Sequence, residues 1–389
     1  MFLEALKKQN SALIECAVTL LRKGLVLPDT YVVDVDQFRE NAKLVKQQAD
    51  KFGIKLLAMT KQIGRNPVLA RILIEECGYQ GVVCVDYKEA IQFHQQGIKI
   101  SHVGHLVQPP SHFIESLVRD ITPEVITVYS IEKAQEISDA AKKANRIQSI
   151  ILKFFEEGDA LYPNQESGFP LTSLSAVVGI IRQLPNLKID GITHFPCFLY
   201  DEDAQQVKPT RNLHTALSAI KEMERAGMEV IHRNFPSATC CETLPLIHRY
   251  GGTHGEPGHA LTGTMPSNRK GDQPEKVAMA YVTEVSHVFE GRTYCYGGGN
   301  YGRSHIEGAL VFEDAFPAGR FMPICPTDAA NIDYYFQLDG GSSVGSPVIM
   351  SFRTQIFVTR SDVALVEGIT SSAPRLLGIF DTQGREIVR

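Results

Sequence analysis

The sequence predicts an α/β fold: a (β/α)8 barrel of the TIM type followed by a mainly β C-terminal domain. Three observations predict it. Between about residues 30 and 260, short β-branched runs alternate with stretches whose apolar residues recur every three or four positions. Gly53, Gly78, Gly97, Gly227 and Gly251 each follow a helical stretch and shortly precede a strand, where a left-handed C-terminal cap is needed. After residue 265 that rhythm gives way to strands with few helical interludes.

Taken in order, the strand YVVDVD (31–36) precedes the first helix and suits either an entry to the barrel or pairing with the β domain. Eight runs then read as barrel strands: LLAMTK (56–61), GVVCVD (81–86), ISHVGH (100–105), VITVYS (125–130), SIILKF (149–154), DGITHF (190–195), VIHRNFPS (230–237) and GTHGEP (252–257). Amphipathic segments such as PVLARILIEE, KEAIQFHQQ, IEKAQEISDAAKKA and NLHTALSAIKEMERA lie between them. Parallel strands require such crossovers, and eight of them fit a closed barrel. A doubly wound open sheet is the runner-up, but no GxGxxG follows an early strand. VAMAYVTEVSHVF, TYCYGGG, ALVF, SPVIMSF and TQIFVTRSDVALVEG read as strands of the second domain. The expected boundaries are therefore 1–265 and 266–389.

Bulk properties narrow the class. A chain of 389 residues is long for one ordinary core, and 43% hydrophobic with 21% charged residues is globular. A net charge of -5 gives no basic footprint for nucleic acid, and no span reaches the roughly 20 apolar residues of a membrane helix. The start, MFLEALKKQNSALIECAVTLLRKG, has early charges and no small-residue cleavage site, so a cytoplasmic location is expected. The eight cysteines include no CxxC pair, and Cys77 and Cys84 lie in apolar runs, which suits reduced thiols. The vicinal Cys240 and Cys241 have no second soft-ligand pair beside them.

Catalytic groups of a barrel project from the C-terminal strand ends. Those ends are Lys61, Asp86, His105, Ser130, Phe154, His194, Ser237 and Glu256. Asp86 and Ser130 equally suit helix caps. Lys61 closes an apolar strand, so its stem is enclosed, and burial favours the neutral amine that attacks a carbonyl. By position alone it reads equally as an ion-paired or snorkelling lysine. Ser237, with Thr239 nearby, ends strand 7 and EPGHALTG follows strand 8, where barrels often bind phosphate. Arg65, four residues beyond Lys61, adds a positive charge for such an anion.

This layout resembles the fold-type III pyridoxal-phosphate enzymes, namely alanine racemases, D-serine dehydratases, D-threonine aldolases and related decarboxylases. The segment YVVDVDQFRENAKLVKQQADKFGIKLLAMTK is similar to their entry of strand, helix and a strand ending in the Schiff-base lysine. The resemblance implies pyridoxal 5'-phosphate held on Lys61, with Ser237 and the amides of Gly258 and His259 on its phosphate. It places His194 beside the pyridine ring. It also implies a homodimer in which Tyr296, with Tyr294 and Tyr301 as alternatives, is offered to the neighbouring subunit as the second acid/base.

Two departures from the pattern matter. Alanine racemases carry an arginine where this chain has Glu256, and a carboxylate there stabilises a protonated pyridine nitrogen. Near the C-terminus the dehydratases and aldolases have a His-x-Cys or His-x-Asp metal pair, whereas SFRTQIF offers Arg353 and Gln355. No metal is expected on this count, and Arg353 instead suits a substrate carboxylate or a structural ion pair. The leading expectation is an amino-acid racemase acting at Cα through Lys61 and Tyr296. The alternatives are a lyase (decarboxylase or dehydratase) and a non-catalytic carrier, against which the β domain weighs. A metal-dependent hydrolase using His102, His105, His194, His254 and His259 lacks the carboxylate-rich strand ends it needs.

Overall fold

The computed structural model describes residues 1–328 and 330–388. In chain order its main strands are β1 (Thr30–Asp34), β2 (Lys55–Met59), β3 (Gly81–Cys84), β4 (Ile100–Val103), β5 (Val125–Val128), β6 (Gln148–Leu152), β7 (Leu187–Thr193), β8 (His232–Asn234) and β9 (His254–Gly255). They continue as β10 (Met279–Phe289), β11 (Arg292–Tyr296), β12 (Gly308–Val311), β13 (Arg320–Pro323), β14 (Tyr335–Leu338), β15 (Pro347–Met350), β16 (Asp362–Glu367) and β17 (Arg375–Phe380). The chain divides into two compact units, one of residues 45–60 and 70–258, the other of residues 1–44, 61–69 and 259–389.

The first unit is a closed barrel of parallel strands β2 to β9, arranged in chain order, with Gly255 of β9 beside Leu56 of β2. Its strands β3, β4 and β5 are buried along their whole length. Parallel strands are covered on both faces, which is why they read as continuous apolar runs rather than alternating ones. The five cap glycines all have positive φ, from +64° to +75°. Asp86 and Ser130 are N-caps, accepting from the amides of Glu89 at 2.9 Å and Lys133 at 3.1 Å. Gly191 lets β7 and β8 pack closely, since a Cβ there would lie 1.9 Å from the His232 carbonyl oxygen.

The second unit is built on a nine-stranded sheet ordered β13-β12-β15-β10-β1-β16-β17, with β11 on β10 and β14 on β11. Strand β1 pairs antiparallel with β10 and parallel with β16. The N-terminal helices Leu3–Gln9 and Ser11–Arg22 pack on this sheet, placing Leu6, Leu13 and Val18 in one apolar cluster with Val32, Val282 and Ile349. Among the described residues, no helix is long and apolar enough to cross a membrane.

Local differences from expectation have local causes. The run SIILKF stops pairing in the barrel at Leu152, and Phe154–Phe155 pairs instead with Phe169–Pro170. The residue following that barrel strand is thus Lys153, not Phe154. The first part of TQIFVT forms a 3-10 turn at Ile356–Val358, its consecutive apolar residues lacking strand alternation. Strands β13, β14 and β17 are not evident in the sequence because few of their residues are buried: β13 buries only Met322.

Candidate active site

At the C-terminal strand ends of the barrel a polar network surrounds Glu256, the residue after β9. Its Oε1 accepts from the Asn234 side-chain amide at 2.7 Å and lies 2.9 Å from His102 Nδ1. His102 Nε2 lies in turn 2.6 Å from the Thr127 hydroxyl. A carboxylate only accepts, so His102 donates through Nδ1, and in that tautomer its Nε2 accepts a hydrogen bond from the Thr127 hydroxyl. The Glu256 amide donates to Thr239 Oγ1 at 3.1 Å. Oε2 is buried with no hydrogen-bond partner among the described residues, and His105 Nε2 is 3.8 Å away. Burial pushes this carboxyl up, but the His105 and His102 rings and the Asn234 amide more than reverse that, bringing it down to about 2.

A second pair lies beyond β7. His194 is fully buried, and its Nε2 donates to Asp159 Oδ2 at 2.8 Å while Nδ1 accepts from the Phe195 amide at 2.9 Å. Burial lowers the His194 pKa, with Asp159 opposing. Asp159 also accepts from Thr215 at 2.8 Å, and despite burial its hydrogen bonds hold its carboxyl below the usual range. Asp159→Asn is expected to destabilise the protein by about 1–3 kcal/mol, because two buried donors lose a charged acceptor. A lowered urea midpoint with unchanged slope is the expected readout, and an unmoved midpoint would refute it.

Lys153 is 3% exposed and donates to Ser167 Oγ at 2.7 Å. Burial lowers its pKa to about 8, opposed by Asp159. It lines a cleft of about 240 Å³ with His105, Leu106, Leu161, Tyr162, Gln165, Ser167 and Phe195. The loop after β8 holds Ser237 and Ala238 in successive left-handed conformations, φ +92° and +52°. Such backbone costs of order 1–3 kcal/mol per residue and is retained where surroundings impose it. Here Thr243 Oγ1 donates to the Ala238 carbonyl at 2.7 Å. Thr239 points its hydroxyl oxygen at the Glu256 amide. Gly258 is buried and is the last residue of the barrel unit.

In the second unit, three cations act on His259. Burial and the nearby Arg353, Lys61 and Arg303 push its pKa well below the ordinary value. Arg353 Nε donates to His259 Nε2 at 3.4 Å, and the opposite ring nitrogen faces Thr264 Oγ1 at 3.2 Å. The ring is therefore neutral, with its proton on Nδ1. Arg65 is buried, with its guanidinium 5.0 Å from the Phe357 ring and hydrogen-bonded to Gln383 Oε1. Tyr296 is 38% exposed, whereas the Tyr294 hydroxyl accepts from Gln337 at 2.8 Å.

The structure thus brings Glu256 and Thr239 together in one unit, and Lys61, His259 and Arg353 in the other. Sequence reasoning named His102 only as a ligand in the disfavoured hydrolase reading, and passed over Asn234, Asp159 and Lys153. Polar residues inside apolar strands (His102, Asn234) were the available signal for the first two, and the lysine in SIILKF for the last. Asp159 lies in a loop and left no such signal.

Residues 33–266 match the family described as alanine racemase, N-terminal domain, and residues 280–376 match the YhfX-like C-terminal domain. The chain belongs to the alanine racemase N-terminal domain family. It is also 49% identical over 387 residues to the protein YhfX of Escherichia coli strain K12, with 100% of each chain covered. Among solved structures, D-threonine aldolase from Filomicrobium marinum aligns with TM-score 0.67 at 15% identity, covering 92% of this chain and 95% of that one. Alanine racemase of Clostridium difficile 630 aligns with TM-score 0.63 at 15% identity, covering 92% and 99%. At such identities the likeness is one of fold.

Proposed function

We propose that the chain is a pyridoxal-phosphate enzyme that acts at Cα of an amino acid, with racemisation as its leading reaction and Lys61 as the covalent anchor. The observation that carries this is Glu256, a buried, charged carboxylate with one oxygen lacking a hydrogen bond. A protonated pyridine nitrogen is the kind of donor that oxygen lacks, so the residues fit the cofactor. The backbone bond from Met59 N to Pro257 O, 3.0 Å, joins the ends of β2 and β9.

When bound, pyridoxal phosphate supplies a sink for the electron pair released as a bond to Cα breaks. Glu256 would accept from the protonated ring nitrogen, while His102 and Asn234 hold that carboxylate in place. Ser237 and the amides of Gly258 and His259 take the phosphate, with Arg65 and Thr239 as supporting groups. His194, oriented by its bond to Asp159, would stand beside the ring. Arg353, of which only Nε is engaged among the described residues, presents its terminal nitrogens to the substrate carboxylate. Lys61 moves the Cα proton on one face and the partner subunit's Tyr296 on the other, which inversion requires. The active form is then a homodimer in the cytoplasm.

A second reading, a lyase performing decarboxylation or elimination, is favoured by the same Glu256, since a protonated ring stabilises charge from any bond broken at Cα. Incubating a panel of amino acids in deuterated buffer separates the two: Cα exchange with inversion marks the racemase, keto acid or carbon dioxide the lyase. No turnover or exchange with any amino acid would refute both. Tyr296→Phe is expected to cut racemisation about 10²–10⁴-fold with an unchanged melting temperature, because the side chain belongs to a residue 38% exposed within its own chain. A rate within a factor of two of the parent would remove Tyr296 from the assignment.

A further inference from the structure

At the other end of the barrel, where the strands begin, three side chains converge that the proposed reaction does not use. Glu124 directly precedes β5, His232 is the first residue of β8 and His254 the first of β9. Each offers one ligand atom, and the three atoms lie within 4.8 Å of one another. His232 Nε2 is 3.6 Å from Glu124 Oε1, and the two imidazoles are stacked, with centroids 4.1 Å apart and planes 15° from parallel.

Hydrogen bonding selects the tautomer of His254. The Thr253 hydroxyl accepts from the Arg233 amide at 2.9 Å and donates to the Ile231 carbonyl at 2.9 Å. Its one proton is thereby used, so at 2.8 Å it accepts from His254 Nδ1–H. That leaves Nε2 of His254 as a bare lone pair. The residue is 1% exposed, and this nitrogen has no hydrogen-bond partner among the described residues. An unsatisfied buried acceptor costs about 1–3 kcal/mol. Fixing a ligand histidine through the opposite ring N–H is how metal sites orient imidazoles.

We propose that Glu124, His232 and His254 form a site for one divalent transition-metal ion of the zinc class at the N-terminal end of the barrel, clasping the starts of β5, β8 and β9. Two imidazoles and one carboxylate, with water as a fourth ligand, suit zinc, with bonds of about 2.0–2.2 Å. To reach that geometry the two rings, now 15° from parallel, must turn so that their lone pairs meet at one ion. Lys55 acts on both histidines, and Asp190, ion-paired with Lys188 at 2.6 Å, acts on His232 with the opposite charge. Lys55 weakens cation binding and Asp190 offsets it, leaving Glu124 as the anionic ligand. A transition-metal clasp at this end would serve stability, the usual role of the N-terminal face of such barrels.

The test uses the full-length protein without a polyhistidine tag, stripped by chelator, then given zinc sulfate and desalted. Elemental analysis is expected to find one zinc per chain in the parent and close to none in His254→Leu. Glu124→Gln, which changes a half-exposed residue, should weaken zinc affinity ten-fold or more and decides the matter if His254→Leu does not fold. Cobalt should give the strong ligand-field bands of a four- or five-coordinate ion without a thiolate band, separating this site from Cys240 and Cys241. Zinc should also raise the melting temperature of the parent but not of the variants. A parent that retains no zinc would overturn the proposal, as would Glu124→Gln binding zinc like the parent.

Discussion

Lys61→Ala is expected to abolish catalysis, with turnover falling by about 10⁴-fold or more. Two losses combine: the amine that holds the cofactor covalently and the base that moves the Cα proton. Residues serving such joint roles are far from additive, so no neighbouring lysine should compensate. Two measurements check this. The purified parent should be yellow, and borohydride should abolish that colour while fixing the cofactor's mass on a peptide containing Lys61. The variant should lack both features. A label on another lysine, or a colourless parent that cannot be reconstituted, would end the cofactor assignment. The variant should fold normally, because Lys61 is only partly buried and sits in a short 3-10 turn.

Replacing Glu256 carries the second large effect, in two separable parts. The first is stability against acid. The Glu256 carboxyl is lowered from an ordinary 4.5 to about 2 in the folded protein. A group with a depressed folded pKa stabilises above its unfolded value, and that contribution vanishes as pH falls from 4.5 toward 2. The shift corresponds to at most about 3 kcal/mol. Glu256→Gln keeps an acceptor for Asn234 and His102 but removes the charge. Urea unfolding should therefore show the parent losing its advantage over the variant between pH 4.5 and 2; equal slopes would mean the buried carboxylate is not stabilising. The second part is catalytic. Glu256→Arg should lower the native rate strongly, since an arginine leaves the pyridine nitrogen unprotonated; an unchanged rate would show that the carboxylate does not serve the ring. Because the side chain is buried, Glu256→Gln should be compared first for folding.

Much of this molecule is legible in the chain because the signals are short-range. The barrel strands are spelled by β-branched runs, since strands covered on both faces have no solvent side to display. The cap glycines and the N-caps Asp86 and Ser130 mark helix ends through backbone geometry within a few residues. Lys61 stands out as a charge that ends an apolar strand. The N-terminal helices are equally visible as amphipathic segments, but their pattern does not say which sheet they cover. They pack on the nine-stranded sheet, because their apolar faces match Val32, Val282 and Ile349 there.

The site was only half legible, for a related reason. Glu256 directly follows β9 and Ser237 lies in the loop three residues after β8, close to where periodicity ends those strands. His102 meets Glu256 across 154 positions of sequence, and Asn234 across 22. Nothing local distinguishes a strand histidine that supports a carboxylate from one that fills a core. The same holds for His232 and His254, whose stacking with a shared carboxylate near them exists only once β5, β8 and β9 are in register.

The sequence by itself determined the order of elements, the barrel-then-sheet architecture and Lys61 as the residue to test first. Periodicity, capping and turn chemistry are decided within one or two turns of chain, so they survive without the fold. Tertiary structure alone decided which polar groups meet: the network that keeps Glu256 charged, the His194–Asp159 pair, the buried Lys153, and the two histidines at the barrel's far end. Those partnerships depend on strand register around a closed barrel, where hydrogen bonds select partners by distance and burial rather than by position in the chain.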